Sequence, residues 1–453
     1  MSEIKILPGR LSGIVSSIPS KSQAHRALIC AALSDQKTFI KCEGESEDIS
    51  ATVECLNALG AKIARKMGGF EVTPLFGSNR DIVMQCRESG STFRFLLPIA
   101  GALGITAAFM PKGRLPERPL SPMYEELAAH GCSLSPQGSV PFHTSGRLQP
   151  GKYSLDGGIS SQFVSGLLFA LPLLDGSSEL RLTGHLESFP YIELTLAMLR
   201  RFGIITEFDG SVFSIPGKQT YCSPGEVDVE GDWSNAAFWL GAGAIGGVER
   251  ISSAGKRKAE KHSNGKTQNL DESQASAAPH TVAVSCIGLN TSSAQGDRAI
   301  VEILKQFGAK VETGDTYVTV SGNTLRGTDI DAKDVPDLVP ILAVVASSAH
   351  GTTVIRNAGR LRTKESDRLA SITEVMLTLG ADVKETEDSL IIRGGSLLTG
   401  GSVSSHGDHR IAMAAAIAAT ICTDAVTISG ADAANKSYPG FFNDFRSLGG
   451  RTD

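Results

Sequence analysis

Apolar residues recur along the chain in a repeated order of helix, glycine and strands. The order is clearest in "LAMLRRFGIITEFDGSVFSIPG" from Leu196 and in "VEILKQFGAKVETGDTYVTVSG" from Val301. In both segments, apolar residues with helical spacing end at a glycine, and alternating apolar residues follow on both sides of a polar turn. A glycine at this place is typical of the positive φ that ends many helices. The pattern predicts an amphipathic helix followed by two half-buried antiparallel strands.

The same unit returns along the whole chain with a period of about 70 residues, which indicates stacked supersecondary units. The predicted helix-ending glycines are Gly60, Gly131, Gly203, Gly308, Gly380 and Gly449. The interval between Gly203 and Gly308 is longer than the others by about 33 residues. This surplus coincides with the polar, aperiodic segment 250–280, which we expect to be a surface insertion. A chain of 453 residues is too long for one core, so six units predict two domains of three.

A second helix opens each unit with small or polar residues and then becomes almost entirely apolar. The openings are "PSKSQAHRAL", "ESGSTFRFLL", "GGISSQFVSG", "GDWSNAAFWL", "DVPDLVPILA" and "HGDHRIAMAA". A helix that is apolar on every side is a buried one, so each unit should place one helix inside and one outside a small sheet. The start of such a helix attracts anions. Lys21, Ser22 and Arg26 therefore suggest a phosphate site, although a serine before a helix is more often only a cap.

Charge and composition exclude several classes of protein. A formal net charge of −5 does not favour a nucleic-acid or membrane surface. No run of about 18 apolar residues predicts a membrane span, and the N-terminus lacks the pattern of a signal peptide. The eight cysteines form no CxxC pair and have no zinc-ligand spacing. We therefore expect reduced, mostly buried thiols in a cytoplasmic protein.

Nine motifs, in this order and spacing, resemble those of the EPSP synthases in the enolpyruvyl transferase family. They are "PSKSQAHRAL", "SGSTFRFL", "LPERPLSPM", "GISSQF", "SFPYIELTLAM", "VPDLVPILAV", "RTKESDRL", "DHRIAMA" and "NKSYPGFF". The resemblance runs from Leu7 to Phe445 without the segment 250–280. It implies an α/β (α+β) fold, a two-domain inside-out α/β barrel with six βαβαββ repeats, three per domain. Domain one would contain residues 1–19 and 232–453, domain two residues 20–231, and the active site would lie in the interdomain cleft.

The resemblance also implies a reaction. Members of this family transfer the enolpyruvyl group of phosphoenolpyruvate to the 5-hydroxyl of shikimate 3-phosphate through a tetrahedral intermediate. Two substrates with two phosphates and two carboxylates require many fixed cations, an acid and a base in a site closed from water. No metal or organic cofactor is implied. The expected partners are the two small-molecule substrates, with no nucleic acid or membrane, and we expect a monomer.

Matching the family's motifs assigns residues to the two substrates. The resemblance implies that shikimate 3-phosphate is bound by Lys21, Ser22, Arg26, Ser160, Ser161, Gln162, Ser188, Tyr191, Asp337 and Lys364. It implies that phosphoenolpyruvate is bound by Lys21, Gly90, Arg118, Gln162, Arg368, Arg410 and Lys436. From the residues alone, other roles are open: helix caps for the serines, local helix salt bridges for Arg368 and Arg410, and solvated loop charges for Arg118 and Lys436.

Three of the matched residues would be catalytic: Lys21, Asp337 and Glu365. Lys21 would donate a proton, Asp337 would act as the general base, and Glu365 would lie near the methylene of phosphoenolpyruvate. From its position before an apolar helix, Asp337 would otherwise be a cap. His409 would be a lesser helper, although a lone histidine is more often structural.

Two positions depart from the family pattern. Arg360 stands where members often have Asn, so Arg360 is not assigned to the site. Phe95 stands where Pro is common, in a helix that the resemblance places behind the phosphoenolpyruvate pocket.

Two other functions are open. The sister enzyme that acts on UDP-N-acetylglucosamine usually has Lys-Asn near its N-terminus and a Cys in the loop matched here by Lys112 to Pro119; this chain has Lys21-Ser22 and no Cys in that loop. A non-catalytic or RNA-end-modifying protein of a similar repeat fold would not need this set of catalytic residues, and an RNA binder would usually be more basic.

Overall fold

The computed structural model describes residues 2–75, 81–247 and 282–453. In these ranges the strands form six four-stranded sheets that share one pairing pattern. Two strands of each sheet are parallel, and the other two extend the sheet antiparallel. Because a parallel pair requires a crossover, a helix lies between its two strands, and the unit is βαβαββ, as the family resemblance implies.

Three units form what we call the second half of the molecule. Its elements are α1 (Lys21–Leu33), β3 (Thr38–Lys41), α2 (Glu47–Leu59), β4 (Lys62–Lys66), β5 (Gly69–Thr73), β6 (Ile82–Arg87), α3 (Gly90–Leu103), β7 (Ala107–Pro111), α4 (Met123–Ala129), β8 (Cys132–Leu134), β9 (Phe142–Gly146), β10 (Lys152–Asp156), α5 (Ser161–Ala170), β11 (Ser178–Thr183), α6 (Phe189–Arg201), β12 (Glu207–Phe208), β13 (Val212–Ile215) and β14 (Glu226–Asp228). Strand β14 pairs with β3, so the end of this half completes its first sheet.

The other three units form the first half, which contains both ends of the described chain. Its elements are β1 (Glu3–Leu7), β2 (Gly13–Ser16), α7 (Trp233–Gly246), β15 (Ala283–Ile287), α8 (Ile300–Phe307), β16 (Lys310–Thr313), β17 (Tyr317–Ser321), β18 (Asp329–Asp331), α9 (Val339–Ser347), β19 (Thr352–Arg356), α10 (Arg368–Thr378), β20 (Asp382–Glu385), β21 (Leu390–Arg393), β22 (Gly401–Ser404), α11 (His409–Ala419), β23 (Val426–Ser429), α12 (Phe441–Ser447) and β24 (Arg451–Thr452). Strand β2 pairs with β15, and β1 pairs with both β23 and β24.

The structure confirms the repeat that the apolar pattern predicts. All six predicted glycines have positive φ, between 76° and 111°. Every residue of α7, α9 and α11 is buried, as expected for helices without a polar face. In the second half, α1, α3 and α5 are the corresponding inner helices, and each is buried over most of its length. The polar openings of these six helices are therefore the places where the interior of each half can meet a ligand.

Each half has its own hydrophobic cluster. One cluster contains Ile6 to Val15 and Trp233 to Leu448, and the other contains Ala24 to Val227. The chain passes between them twice, and the two passages lie side by side: the backbone N–H of Ser20 donates to the carbonyl of Glu230 at 2.7 Å, and that of Asp232 donates to the carbonyl of Ile18 at 2.8 Å. This arrangement favours the domain boundaries near residues 19 and 232, which stay a prediction.

The expected insertion at 250–280 lies outside the described residues. The eight cysteines, all within the described residues, form no disulfide; seven are buried, and Cys222 is exposed. No helix within the described ranges is long and apolar enough to cross a bilayer.

Candidate active site

One cleft is lined by residues of both halves and encloses about 820 Å³ of space, part of it open to solvent. Of the predicted site residues, those that line it are Lys21, Ser22, Arg26, Gly90, Arg118, Ser160, Ser161, Gln162, Ser188, Tyr191, Asp337, Lys364, Glu365, Arg368 and Arg410. Lys436 does not line it, but this lysine is buried, and Glu365 is the carboxylate that most raises its pKa against the lowering effect of burial. The structure thus brings together residues from opposite ends of the sequence, although their individual roles stay predictions.

Three inner helices of the second half begin at this cleft, and each is capped by a serine hydroxyl. Ser20 accepts from the backbone of Gln23, Ser89 from that of Thr92, and Ser160 from that of Gln162. A neutral cap satisfies one backbone N–H and leaves the partial positive charge of the helix start uncompensated. Capping and anion binding are therefore compatible at Ser160.

Among the described residues, every hydrogen-bond acceptor of Arg26 is a neutral oxygen. Its Nε donates to Thr195 Oγ1 at 2.8 Å, its Nη1 to the carbonyl of Ser22 at 2.7 Å, and its Nη2 to that of Tyr191 at 2.8 Å. The guanidinium carbon lies 5.2 Å from the centroid of the Phe95 ring. Burial lowers the pKa of Arg26 to about 10, so the side chain is charged at neutral pH and its charge is available to an anion.

Gln162 connects the starts of two inner helices. Its Oε1 accepts from Arg94 Nη1 at 2.7 Å, and its Nε2 donates to Ser91 Oγ at 2.9 Å. Beside it, a Cβ added to Gly90 would lie 3.0 Å from Arg118 Nη1. The missing side chain at Gly90 is what lets the Arg118 guanidinium pack against the beginning of α3.

Lys21 is paired with a carboxylate of its own half. Its Nζ lies 2.9 Å from Asp48 Oδ2. Burial would raise the pKa of Asp48, but Lys21 and Lys436 outweigh burial and keep it below its ordinary value. The backbone N–H of Lys21 donates to Asp232 Oδ2 at 3.0 Å, which ties the first turn of α1 to the cap of α7.

Arg368 is the centre of the charged network on the first half. Its Nε lies 2.7 Å from Asp408, its Nη1 2.8 Å from Asp337, and its Nη2 2.7 Å from Glu365. Glu365 lies in the turn before α10, so its contact with Arg368 is local in sequence but is not the pair within a helix that the sequence suggests. The other two carboxylates belong to different segments, so this buried arginine joins three parts of the half in one site.

Asp337 does not cap the helix that follows it. Its Oδ1 is 2.8 Å from Arg368 and its Oδ2 is 2.7 Å from Arg410. Burial would raise the pKa of Asp337, but Arg410 and Arg368 outweigh burial and hold this pKa below its usual range. The carboxylate is therefore ionised at neutral pH, in the state that a base requires.

Glu365 and Lys364 are neighbours in sequence with different environments. Burial would raise the pKa of Glu365, but Arg368 and Arg118 lower it well below the ordinary value; Arg118 Nη1 lies 3.6 Å from Glu365 Oε1. Burial lowers the pKa of Lys364 to about 7, against the opposing effect of Asp337. A bound anion would restore the positive charge of Lys364.

A buried acid lies behind Tyr191. The Tyr191 hydroxyl is 3.1 Å from Asp297 Oδ2 and 3.2 Å from Asp337 Oδ2, and Ser234 also donates to Asp297. Burial and the nearby Asp337 raise the pKa of Asp297 to about 6. Because the phenol has one proton, it can donate to only one of the two carboxylates at a time.

Sequence reasoning missed several residues at this site. The cleft is also lined by Asp48, Ser91, Phe95, Asp232, Ser234, Asn235 and Arg360, while Asp297 and Asp408 hydrogen-bond to lining residues. The openings "GDWS" and "HGDHR" contained a usable signal, since Asp before a buried helix resembles the serine caps of the other units. Arg360, which the comparison of motifs left unassigned, also lines the cleft.

His409 also lines the cleft and is almost fully buried. Burial lowers its pKa well below the ordinary value, so the ring is neutral. Neither ring nitrogen has a hydrogen-bond partner among the described residues. A helping role for His409 stays a prediction.

Solved structures share this fold. An EPSP synthase from Acinetobacter baumannii has a TM-score of 0.77 with 24% identity, covering 100% of both chains. The enolpyruvyl transferase NikO from Streptomyces tendae has a TM-score of 0.76 with 17% identity, covering 100% of this chain and 98% of that chain. The fold is therefore that of the enolpyruvyl transferases.

Sequence comparison narrows the class. The profile of the EPSP synthase (3-phosphoshikimate 1-carboxyvinyltransferase) family matches residues 7–261 and 273–445. Relatives named 3-phosphoshikimate 1-carboxyvinyltransferase include those of Clostridium kluyveri, 43% identical over 100% of this chain and 99% of the relative, and Clostridioides difficile strain 630, 40% identical with the same coverage. The chain belongs to the EPSP synthase family, as the motifs predict.

Proposed function

We propose that this chain is a transferase that joins the enolpyruvyl group of phosphoenolpyruvate to the 5-hydroxyl of shikimate 3-phosphate and releases phosphate. The reaction belongs to the shikimate pathway, which leads through chorismate to aromatic amino acids. The observation that carries the proposal is the cleft itself, in which cations and helix starts from both halves face a buried set of carboxylates.

The two substrates divide the cleft. The second half offers hydroxyls, helix starts and Arg26, which suit the phosphate and carboxylate of shikimate 3-phosphate. Arg118, Arg368, Arg410 and Lys436 suit the two anionic groups of phosphoenolpyruvate. Lys21 and Gln162 would contact both substrates, since both lie at helix starts that open onto the cleft.

The reaction needs a base and an acid in the addition step and again in the elimination step. Asp337 takes the proton of the 5-hydroxyl, the oxygen bonds to C2 of phosphoenolpyruvate, and C3 gains a proton from the ammonium of Lys21. The ionised Glu365 would be the base that later takes a proton from C3. In the second step C3 loses a proton, the C2–O bond to phosphate breaks, and the double bond re-forms as phosphate leaves. Which of the three side chains moves which proton is a property of the coupled set.

Arg368 and Arg410 would set the pKa values of the catalytic carboxylates. Arg368 pairs with both Asp337 and Glu365, and Arg410 pairs with Asp337. When the carboxylate and phosphate of phosphoenolpyruvate pair with these guanidinium groups, Asp337 and Glu365 lose part of the positive charge that lowers their pKa values. Their pKa values then rise, so each becomes a better base while substrate is bound.

Contacts between the halves would exclude water from the reaction. Lys436 Nζ lies 3.4 Å from Glu88, Arg118 lies 3.6 Å from Glu365, and the backbone of Ser188 donates to the carbonyl of Lys333 at 3.1 Å. We propose that residues 1–19 with 232–453, and residues 20–231, are two domains that close on the substrates. We also propose a monomer in the cytoplasm.

The test is a phosphate-release assay on the purified chain. With shikimate 3-phosphate and phosphoenolpyruvate together, we expect release of phosphate in step with formation of the enolpyruvyl ether; with either substrate alone we expect none. Replacing the acceptor by UDP-N-acetylglucosamine separates the sister reaction. Phosphate release with that acceptor, and not with shikimate 3-phosphate, would overturn the proposal.

A further inference from the structure

Five side chains at the wall of the cleft form a closed ring of hydrogen bonds. Tyr191 Oη lies 3.2 Å from Asp337 Oδ2, which lies 2.7 Å from Arg410 Nη2. The same Nη2 donates to Ser234 Oγ at 3.1 Å. Ser234 donates to Asp297 Oδ2, and this oxygen lies 3.1 Å from Tyr191 Oη. Four of the five side chains line the cleft, whereas Asp297 lies behind them and is 4% exposed, so it contacts the proposed base through Tyr191.

A count of donors shows that the ring is complete with one proton on one of its two carboxyl groups. Arg410 Nη2 supplies one hydrogen to Asp337 and one to Ser234, so the hydroxyl proton of Ser234 is left for Asp297. Tyr191 has one proton for two carboxyl groups, and if both are ionised, one of them faces a lone pair of the phenol. A further proton on either carboxyl group gives every contact in the ring a donor and an acceptor.

The surroundings of the two carboxyl groups determine which one holds that proton. In the described part of the chain the hydrogen-bond partners of Asp297 are two hydroxyl groups, and its Oδ1 is buried without a partner. Burial and the nearby Asp337 raise the pKa of Asp297 to about 6. Burial acts in the same direction on Asp337, but Arg410 and Arg368 outweigh it and hold this pKa below its usual range. A proton in the ring is therefore held by Asp297 in preference to Asp337.

Tyr191 can pass a proton between the two carboxyl groups because it keeps its own. Burial, Asp297 and Asp337 raise the pKa of the phenol well above its ordinary value. The phenol can therefore accept a proton from one carboxyl group only as it gives its own proton to the other. The titratable and charged groups that face Asp297 are Tyr191 of α6, Asp232 at the start of α7, Asp337 before α9 and Arg410 of α11, while Arg298 of its own turn is exposed.

Asp297 also borders a path to solvent. Together with Tyr191 and Ser234 it lines a cavity of about 230 Å³, which Gln295 and Gly296 line as well. Gln295 and Gly296 also line a groove that encloses about 1020 Å³ of space, part of it open to solvent. Within the described ranges this groove has no lining residue in common with the cleft. A polar cavity of this size has room for water, so Asp297 can lose a proton while substrates fill the cleft.

We infer that Asp297 receives, through Tyr191, the proton that Asp337 takes from the 5-hydroxyl of the acceptor, and this inference rests on the proposed function. Asp337 gives the proton to the phenol oxygen as the phenol proton moves to Asp297, so two O–H bonds break, two form, and Tyr191 is unchanged. Asp337 is then ionised again, and Asp297 releases the proton to solvent through the cavity. Because Asp297 acts through Tyr191, it is a positioning residue that restores the base.

Asp297→Asn tests this path, because an amide keeps the shape of the side chain but cannot accept the proton. We expect kcat at pH 8 to fall about 10- to 100-fold, with the KM of both substrates within about twofold of the parental values. At pH 5 Asp297 is already protonated in most parent molecules, so the ratio of parental to variant kcat should be about tenfold smaller than at pH 8. Titration of the substrate phosphates cancels in this ratio. Asp329→Asn is the matched control, since Asp329 is a 65% exposed aspartate of the same half.

Tyr191→Phe interrupts the same path and leaves Asp297 in place. The ratio of parental to variant kcat should depend on pH in the same way, which keeps the test valid if Asp297→Asn does not fold. If the two side chains act in one path, the double variant should lose no more kcat than the more impaired single variant.

Three results would each overturn the inference: an unchanged kcat in folded Asp297→Asn, a ratio to either variant that is equal at pH 5 and pH 8, or losses that multiply in the double variant. Turnover by the parent chain, measured in the same series, tests the proposed function separately.

Discussion

The two halves repeat the same unit but begin their inner helices with different caps. In the second half α3 and α5 are capped by Ser89 and Ser160, whereas in the first half α7 and α11 are capped by Asp232 and Asp408. An aspartate cap compensates the positive helix start, and a serine cap does not. The two halves therefore share one backbone repeat but differ at their helix starts: those of the second half are suited to an anion, and those of the first half are suited to carboxylates paired with arginines.

The buried arginines of the two halves differ in the same way, in whether a carboxylate already compensates their charge. Arg368 faces three carboxylates, whereas the hydrogen-bond acceptors of Arg26 are all neutral. An anion that binds Arg368 must replace an existing ion pair, and one that binds Arg26 adds to an uncompensated charge. The second half therefore offers an anion a cation without an opposing carboxylate at Arg26, and the first half offers an arginine that is already paired with carboxylates at Arg368. The helix α1 lies where the halves meet and has features of both, since Ser20 caps it and Asp232 accepts from its first residue.

The largest effect should come from removing the side chains that are proposed to move the proton at C3. We expect Lys21→Met and Glu365→Gln each to lower kcat by at least about a hundredfold, because general acid–base catalysis contributes on that scale. The measurement is phosphate release at saturating substrates, with melting temperatures to verify folding. The controls are Lys37→Met and Glu374→Gln, whose native side chains are each 64% exposed.

Lys21→Arg sharpens this prediction. It can keep the ion pair with Asp48, but a guanidinium does not release its proton at neutral pH. Turnover near the parental rate in this variant would exclude Lys21 as a proton donor, and near-normal rates in both Lys21→Met and Glu365→Gln would contradict the proposed chemistry.

A change of cap tests the difference between the halves directly. Asp and Asn both cap helices well, so Ser160→Asp and Ser160→Asn should both preserve the start of α5. Only Asp adds a negative charge where a phosphate is expected. We therefore expect the KM for shikimate 3-phosphate to be at least about tenfold higher in Ser160→Asp than in Ser160→Asn. Equal KM values in the two variants would show that no anion binds at this helix start.

Proton uptake tests the charge state of Lys364. Because burial lowers its pKa to about 7, most of the free protein has a neutral Lys364 at pH 8. A bound dianion raises this pKa, so binding of shikimate 3-phosphate at pH 8 should take up close to one proton. At pH 6 Lys364 is already charged, and the phosphate, whose second pKa is about 6, gives up part of its own proton, so no net uptake is expected. Calorimetry in buffers of different ionisation enthalpy measures this number. Lys364→Arg should abolish the uptake, and uptake that persists in this variant would assign it to another group.

The smallest expected effect concerns Asp297. Its pKa is about 6 in the folded chain, above the ordinary value of 3.8, so the native state binds this proton more tightly than the unfolded state does. The stabilisation is present below about pH 4 and is lost as the pH rises through 6. Between pH 5 and pH 8 the free energy of unfolding should fall by about 1 kcal/mol through this group.

Asp297→Asn mimics the protonated acid and should remove that part of the pH dependence. Urea unfolding of both chains at pH 5 and pH 8 provides the comparison. An identical change with pH in the parent and the variant would show that Asp297 does not keep a raised pKa.

Much of the fold could be predicted because its signals are local. A glycine such as Gly308 ends a helix through its own φ, and an all-apolar helix such as α9 is buried whatever it packs against. The candidate site residues were found through motifs, since residues such as Arg118 and Lys436 have no local pattern that distinguishes them from solvated charges. Asp337 shows the limit of local reasoning: its position after Pro336 suggests a cap, yet its oxygens contact two arginines that lie 31 and 73 residues further along the chain.

The sequence by itself determined the six units, the inner and outer helices and the polar openings where a ligand could bind. Only the tertiary structure decided which charges meet: that Arg368 joins Asp337, Glu365 and Asp408, that Asp297 lies behind Tyr191, and that Arg360 contacts Ser188. The physical reason is the separation along the chain over which each interaction acts. Helix propensity, caps and turns act over a few residues, whereas an ion pair depends on distances that the packing of separate units establishes.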